Sequence, residues 1–308
     1  MSERDKETHP DRTGPTGNAA VFSNPLMSDC ESDWSLMHDA AFNGRILSLQ
    51  KLISQGISVN LSTLDRVSPL HAACTQGNTA CAKLLLENGA NINSPTVDGH
   101  TALAEACARG HGACVSVLLQ HGATPTGSSL SSSPIHRAAA KDNLECIEQL
   151  VQFGADVDQH IDQSGSPLNI ACSHQQTSTV RKLLQLGANV NSVVSGESAL
   201  HTAARLSCPE IVSMLVEHGA DHNLRDPQGK RPLDLAPPNT LVAQLLKQVG
   251  EECSLMRLCR VTIRKTVGKN RLSEIRDLQL PNELKDYLLH QTEPRRIKSE
   301  INRLLPQS

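Results

Sequence analysis

Apolar and polar positions along this chain recur with a period of 32 or 33 residues. In each copy, small residues such as Ala72 and Ala73 come first, and a leucine-rich stretch such as 84–86 follows. The small residues suit a first helix that packs closely against neighbouring helices, and the leucines supply the apolar face of a second helix. The pattern therefore predicts a pair of short helices in every copy.

Two sequence markers keep the same spacing through six copies. A glycine, usually followed by alanine, closes each copy at Gly56, Gly89, Gly122, Gly154, Gly187 and Gly219. Four-residue starts recur in register at 35–38, 68–71, 101–104, 133–136, 166–169 and 198–201. Internal repetition at such a period is typical of solenoid proteins.

The physical role of each marker is readable from one copy. Ser68 caps a helix by accepting hydrogen bonds from its first backbone N–H groups, and Pro69 takes the first helical position, where no N–H is needed. Gly89 ends the second helix in the left-handed conformation. Since one helix pair cannot bury its own apolar face, the copies must stack. We expect an all-α solenoid.

These markers resemble the Thr-Pro-Leu-His and Gly-Ala-Asp-Val-Asn signatures of the ankyrin repeat. The resemblance covers roughly residues 33–250: six copies are followed by a degraded seventh from Lys230, with a short second helix over 241–246. Ala104 and Asn169 replace the usual histidine, and 142–143, 174–175 and 206–207 replace the usual Gly-His turn. We therefore expect local irregularity in the third, fifth and sixth copies.

Composition supports a thin stack and excludes several classes of protein. Aromatic residues make up only 2%, fewer than a deep globular core would use, and the net charge of −3 argues against a nucleic-acid partner. The sequence contains neither a signal peptide nor a stretch of membrane-spanning length, so no membrane insertion is expected. The ten cysteines form no CxxC pair, which favours reduced thiols in the cytoplasm or nucleus.

The C-terminal part has a different charge and a different pattern. From Ser254 onward 12 Lys or Arg residues stand against 6 Asp or Glu residues. Leu255, Cys259 and Ile263 share one helical stripe, with Leu258 beside it. A second helix after Pro281, predicted in its first turn, would place Leu284, Tyr287 and Leu288 together.

These two segments resemble the halves of a SOCS box, and together with the repeats they resemble the ankyrin-repeat-and-SOCS-box family. The resemblance implies an elongin-binding surface and a cullin-binding surface, and hence elongin B, elongin C and cullin-5 with its RING subunit as partners. Carried over by position, elongin-binding residues are Leu255, Leu258, Cys259 and Ile263, and cullin-binding residues are Leu278, Leu280, Pro281, Leu284 and Tyr287. Gln279 replaces the first proline of the usual Leu-Pro-Leu-Pro core.

The sequence gives no sign of catalysis or of a bound cofactor. HExxH and CxxC spacings, glycine-rich phosphate loops and the GxSxG pattern are all absent, so neither a metal nor a cofactor is expected. The in-phase His38, His71, His136 and His201 suit hydrogen bonds within the turns of their own repeats. A non-catalytic adaptor that promotes ubiquitination and degradation of a protein substrate is the leading function. A scaffold or inhibitor that sequesters its partner is the alternative.

A substrate would contact two kinds of position that vary between copies. One kind lies in the connecting fingers, the segments that join the second helix of one copy to the first helix of the next, and the other lies late in the first helix. Those positions hold Trp34, Phe42, Asn43, Arg66, Val67, Thr75, Gln76, His100, Arg109, Lys141, His174 and Arg205. We predict a groove with an aromatic N-terminal end and a basic floor, taking a folded protein with an acidic surface. The alternative is that Trp34 only caps the first repeat and that the basic residues are solvated.

The predicted domain organisation has four parts. Residues 1–28 form a disordered leader whose apolar segment 21–27 either caps the stack or binds a partner. Residues 29–253 form the ankyrin domain, residues 254–290 the SOCS box, and residues 291–308 a basic amphipathic tail.

Overall fold

The computed structural model describes residues 33–251, 262–263, 266–267 and 274–289 of the chain. The predicted leader and tail, and the positions of Leu255, Leu258 and Cys259, lie outside these residues. Seven helix pairs follow one another: α1 Leu36–Phe42 and α2 Ile46–Ser54, α3 Pro69–Gln76 and α4 Thr79–Glu87, α5 Ala102–Arg109 and α6 Gly112–Gln120, α7 Pro134–Ala140 and α8 Leu144–Gln152, α9 Pro167–Ser173 and α10 Thr177–Gln185, α11 Ala199–Arg205 and α12 Pro209–Glu217, α13 Pro232–Leu235 and α14 Leu241–Glu251. A hairpin of β1 Val193–Val194 and β2 Glu197–Ser198 precedes α11, and α15 spans Asn282–Leu288.

The helix pairs stack in two layers. First helices pack on first helices from α1 to α13, and second helices pack on second helices from α2 to α14. Alanines such as Ala72 and Ala73 are completely buried between first helices, and leucines such as Leu85 are completely buried under second helices. One continuous apolar core therefore runs through all the copies, and the predicted solenoid is confirmed.

Histidines at the helix starts of the first, second, fourth and sixth copies join each of these copies to the next. Ser68 Oγ and His71 Nδ1 lie 2.8 Å apart within one turn, as the sequence predicts. The opposite ring atom, His71 Nε2, lies 3.1 Å from the carbonyl oxygen of His100 in the following finger. His38, His136 and His201 repeat this second contact with Val67, Gly165 and Lys230 at 2.9, 3.0 and 3.2 Å. The histidines thus hold neighbouring copies together as well as their own turns.

A second set of bonds joins the bases of successive fingers. Asn60 Nδ2 donates to the Gly89 carbonyl at 2.9 Å, and Asn60 Oδ1 accepts from the Asn91 amide at 2.8 Å. Asn191 makes the same two contacts with Gly219 and Asp221 at 3.2 and 2.8 Å. The amide side chains therefore satisfy backbone groups of the next copy that no helix satisfies.

The expected irregularity of the third, fifth and sixth copies is wrong for the backbone. At the turn between the two helices, Gly110, Gln175 and Ser207 of these copies adopt φ of 78°, 56° and 55°, close to the left-handed φ of 76° at Gly77, and Asp142 of the fourth copy does the same at 60°. Where Asn169 replaces histidine, its Oδ1 still accepts from the Ser166 amide at 3.0 Å. The substituted residues keep the repeat geometry because packing and capping bonds impose it, at a cost in backbone strain.

The seventh copy has the short first helix expected from the Pro237-Pro238 pair, and a second helix longer than predicted. Helix α13 has 4 residues, because the proline pair after Ala236 stops it. Helix α14 has 11 residues and continues through Gly250, so its predicted end at 246 is wrong. At the start of α13, Asp234 Oδ2 accepts from the Arg231 amide at 2.9 Å, in the position that histidine holds elsewhere.

A small apolar cluster organises the described part of the C-terminal module. Ile275, Leu288 and Leu289 are buried, with Leu280 and Leu284 packed against them. The carbonyl of Pro281 accepts from the amides of residues 284 and 285 at 3.0 and 3.1 Å, so this proline immediately precedes α15 instead of occupying its first turn. The predicted stripe of Leu284 and Leu288 is confirmed as a packed face.

Candidate functional site

One exposed position recurs at the end of every first helix of the six regular copies. It holds Asn43, Gln76, Arg109, Lys141, His174 and Leu206, all of which are exposed. We call this series the late-helix row. Because the stack places equivalent residues of successive copies side by side, the row forms a continuous strip whose chemistry differs from copy to copy.

The centre of the late-helix row carries positive charge that is not neutralised. Arg109 and Lys141 come from consecutive copies, and neither forms an ion pair within residues 33–251. Arg205, which lies beside the row, forms an ion pair with Glu197, and Arg45 forms one with Asp39 at 2.8 Å. Of the predicted basic floor, Arg109 and Lys141 are thus the pair free to meet an acidic partner.

A buried charge network lies next to these two cations. Glu105 Oε1 lies 2.9 Å from Arg137 Nη2 and 2.5 Å from His100 Nδ1, and the Glu105 side chain is only 13% exposed. His100, predicted to contact substrate, is therefore committed to Glu105. The sequence prediction missed Glu105 and Arg137, although carboxylate and guanidinium one repeat apart on the same face would have indicated a pair.

The aromatic end of the predicted groove needs correction. Trp34 is only 4% exposed, since its ring packs 4.9 Å from the His38 ring and edge-on 5.9 Å from the Phe42 ring. Phe42 itself is half-buried against the core. The prediction that Trp34 is an exposed interface anchor is therefore wrong, and this tryptophan closes the first copy. Asn43 is exposed, but its amide already donates to the Asp39 carboxylate at 2.7 Å.

Two further positions, one in a finger and one in a first helix, are buried although the sequence predicted that they are exposed. Val67 packs in the core and its carbonyl accepts from His38. Thr75 is buried, and its Oγ1 donates to the His71 carbonyl at 2.8 Å. Arg66, by contrast, is exposed in the first finger, as predicted. Only part of the predicted substrate surface is therefore accessible.

The C-terminal module exposes several residues that the sequence assigns to partners. Ile263 is exposed and helical, Leu278 is exposed, and Pro281 is exposed, whereas Leu280 and Leu284 are half-buried in the module's own cluster. The helix that carries Tyr287 is formed. Exposed apolar side chains on so small a module are a typical feature of a protein-binding surface.

The cysteines belong to the core of the stack. Cys74, Cys81, Cys107, Cys114, Cys146 and Cys172 are buried free thiols. A hydrogen bond with Cys74 lowers the pKa of Cys114 to about 7, while burial and the Cys146 thiol raise that of Cys107. In the described ranges, His, Cys, Asp and Glu side chains form no group of three that could hold a metal ion. Nor is any described helix long and apolar enough to cross a membrane.

Comparison with known proteins agrees with this architecture. Residues 37–129 and 135–226 match the ankyrin repeat family, and residues 253–289 match the SOCS box family. Ankyrin repeat and SOCS box protein 9 of Mus musculus is 52% identical over 280 residues, which are 91% of this chain and 97% of that protein. Ankyrin repeat and SOCS box protein 11 of Mus musculus is 47% identical over 86% of this chain and 82% of its own.

Solved structures show the same helical stack. The crystal structure of the human ASB11 ankyrin repeat domain superposes with a TM-score of 0.68 at 44% identity, over 71% of this chain and all (100%) of that one. The ankyrin repeat domain of Bcl-3 superposes with a TM-score of 0.61 at 29% identity, over 68% of this chain and 97% of that one.

Proposed function

Since this chain belongs to the ankyrin repeat and SOCS box family, we propose that it is the substrate-recognition subunit of a cullin-5 RING ubiquitin ligase. The ankyrin stack would hold a protein substrate. The SOCS box would bind elongin B, elongin C and the cullin, and the substrate would be ubiquitinated and degraded. The observation that carries the proposal is the presence, in one chain, of a SOCS box and a stack with unneutralised charge on its surface.

The chain itself would contribute position and not chemistry. A RING subunit brings the loaded conjugating enzyme, and this chain brings the substrate lysines within its reach. Holding two reactants together in this way replaces a bimolecular encounter by an effectively intramolecular one. This division of labour accords with the family's role as adaptors.

The elongin surface would be built on the first segment of the SOCS box. Leu255 and Cys259 would enter a pocket on elongin C, with Leu258 and Ile263 beside them. The exposure of Ile263 supports this assignment, since covering an exposed apolar side chain with a partner lowers the free energy of the complex.

The cullin surface would be built on the second segment. Leu278 and Pro281 are exposed and available, and Leu280 and Leu284 set the position of the segment from inside the cluster. Gln279 leaves the backbone before Leu280 freer than a proline would, which we expect to weaken the engagement of cullin-5.

On the substrate side, Arg109 and Lys141 would bind an acidic surface. They are adjacent, exposed and without ion pairs inside the stack of residues 33–251, so an acidic partner would not have to displace an internal carboxylate. Charge of this kind steers association and sets specificity.

We propose residence in the cytoplasm, with the nucleus as a second location.

Co-purification tests the ligase assignment. The Leu255→Pro and Cys259→Phe double variant should lose elongins B and C, while the unmodified chain and the Arg109→Glu and Lys141→Glu double variant should retain them. The Arg109→Glu and Lys141→Glu variant should instead lose substrate captured by the unmodified chain. If elongins do not co-purify with the unmodified chain, the sequestering scaffold is the better function.

A further inference from the structure

The first two fingers end in turns of identical construction. In the first, the Thr63 amide donates to the Val67 carbonyl at 3.1 Å, and Thr63 Oγ1 accepts from the Val67 amide at 3.0 Å. In the second, Thr96 and His100 make the same two bonds at 2.8 and 3.0 Å. An aliphatic residue follows the threonine in each turn: Leu64 in the first and Val97 in the second. We call this position the corner of the finger.

These two aliphatic side chains stand in water. Leu64 is 80% exposed and Val97 is 62% exposed. An aliphatic residue at an exposed corner gains nothing from the hydrophobic effect in the isolated chain.

The turn itself does not require an apolar side chain at this corner. In the fourth finger the Ile161 amide donates to the Gly165 carbonyl at 3.0 Å, which closes the same turn, and the corner residue is the exposed Asp162. In the last finger the corner residue of the equivalent turn is Pro227. Since an aspartate serves the fold equally well, the aliphatic identity of Leu64 and Val97 needs another explanation.

The two corners form one rigid surface. The Val97 amide donates to the carbonyl of Asp65 at 2.9 Å, so the second fingertip is bonded to the first. The Leu64 amide donates to the Asp33 carboxylate, which fixes the first fingertip. Leu130, 41% exposed in the third finger, extends the aliphatic series by one copy. A surface fixed before binding loses little conformational entropy when a partner arrives.

Acidic residues border this aliphatic surface. Asp65 and Asp98 directly follow Leu64 and Val97, Asp33 lies at the first turn, and the exposed Arg66 follows Asp65. These three aspartates form no ion pair with lysine or arginine in the stack as described. Their charge is therefore available to a partner.

We propose that these fingertips dock an aliphatic patch bordered by lysine or arginine on the surface of the substrate. We call Leu64, Asp65, Val97 and Asp98 the fingertip surface. The inference rests on the proposed function, because it specifies the surface that a substrate must present. Together with Arg109 and Lys141 in the third and fourth copies, the fingertip surface demands a substrate with a basic-bordered apolar patch and a separate acidic patch. The order of charges along the stack then selects one orientation of the substrate.

A methyl NMR titration of the full-length chain tests the fingertip surface directly. The probe is a short synthetic peptide of alternating leucine and lysine, compared with one in which glutamate replaces every lysine. We expect the lysine peptide to shift the methyl signals of Leu64, Val97 and Leu130 and to bind about tenfold more tightly than the glutamate peptide. Leu47, 77% exposed on α2, provides an internal control and should not shift.

Matched substitutions separate the apolar contribution from the charge. The Leu64→Ser and Val97→Ser double variant should weaken binding of the lysine peptide about tenfold, whereas Leu47→Ser should leave it unchanged. The Asp65→Lys and Asp98→Lys double variant should reverse the preference in favour of the glutamate peptide. Thermal unfolding of each variant identifies any loss of fold.

Three results would overturn the proposal: equal binding of the two peptides, equal shifts at Leu47, or full binding by the serine double variant. Elongin co-purification is measured on the same preparations. Retained elongins with a failed titration would reject the fingertip surface alone. A successful titration without elongins would reject the ligase assignment alone.

Discussion

His136 Nε2 lies 3.0 Å from the carbonyl oxygen of Gly165, a residue of the following copy, and its Nδ1 lies 2.8 Å from Ser133 Oγ. A carbonyl can only accept, so Nε2 carries the proton and Nδ1 accepts from the hydroxyl. The neutral ring satisfies both contacts at once, and after protonation Nε2 could still donate to Gly165 while Nδ1 donates to a rotated serine hydroxyl. Burial, and not the loss of either contact, is therefore what disfavours the charged ring.

Burial lowers the pKa of His136 from 6.5 to about 4 and also lowers the pKa of His38 and His71. Between pH 6.5 and 4 the unfolded chain binds protons at this position that the folded chain does not bind. The free energy of unfolding should therefore fall as pH drops through this window, by roughly 3 kcal/mol for His136 alone. Denaturant titrations at several pH values measure the slope.

Asn169 supplies the matched substitution for this test, because asparagine already fills the histidine position in the fifth copy. His136→Asn should be less stable at pH 7 and should lose less stability on acidification. His121→Asn, at an exposed histidine, controls for the substitution itself. An unchanged slope in His136→Asn would contradict the assignment.

The left-handed turns of the later copies contain strain that glycine would relieve. Ser207 has φ of 55° where Gly77 has 76°. Ser207→Gly should raise the free energy of unfolding by roughly 0.5–1 kcal/mol, since the saving in strain exceeds the added entropy of the unfolded chain. Thermal or denaturant unfolding of purified protein measures the change.

Asp142→Gly tests the same relief of strain at the equivalent turn of the fourth copy, where the side chain also forms hydrogen bonds. The Asp142 Oδ1 accepts from the Thr179 amide at 3.0 Å and from Thr179 Oγ1 at 2.8 Å. Removing the carboxylate leaves the buried Thr179 without these bonds, so we expect a net loss of about 1 kcal/mol or more. Equal stabilisation by both glycine variants would show that these bonds contribute nothing.

The Glu105–Arg137 pair should matter more than the pairs on the surface. Glu105→Gln removes the counter-charge of an arginine whose side chain is only 21% exposed, and we expect a loss of roughly 1–3 kcal/mol. Glu197→Gln, opposite the 51% exposed Arg205, should cost less than about 1 kcal/mol. Urea unfolding compares the two; equal losses would mean that burial does not strengthen the inner pair.

The asparagine contacts at the finger bases should stabilise the stack between copies. Asn60→Ala removes two bonds to the next copy and should cost about 1–2 kcal/mol. Asn88→Ala removes only a bond to the Leu84 carbonyl of its own helix, and we expect a smaller loss. Hydrogen exchange of the Asn91 amide provides a local measurement, since it should accelerate in the first variant and not in the second.

The sequence predicted the repeat and the roles of its markers, because glycine spacing and Ser-Pro starts act over a few residues. Bonds between copies were beyond the same reasoning. His71 and the carbonyl it reaches are 29 residues apart, and only the stacking of copies brings them together. The Glu105–Arg137 pair also joins two copies, and its members are 32 residues apart, but their equivalent positions in consecutive copies were a signal that could have indicated it.

Two of the errors, at Trp34 and at the end of α14, lie at the two ends of the described stack. The sequence prediction of exposure assumes that each copy has a regular copy on both sides. Trp34 lies at the start of the first described copy, where this assumption does not apply. Its ring packs inward on the His38 and Phe42 rings. At the other end, α14 continues past its predicted end at residue 246 and also runs through Gly250, because a glycine lowers helix stability by only about 1 kcal/mol.

The histidine bonds all point in one direction along the stack. Each of these histidines reaches forward, and His201 reaches Lys230 in the seventh copy. There the series meets Asp234, whose carboxylate turns back to the Arg231 amide at 2.9 Å and to its guanidinium at 3.2 Å. In residues 33–251 no side chain from this position extends to a further finger. The third copy also lacks the histidine, at Ala104, and still packs on the fourth, so the histidine bond reinforces the stack without being required to extend it.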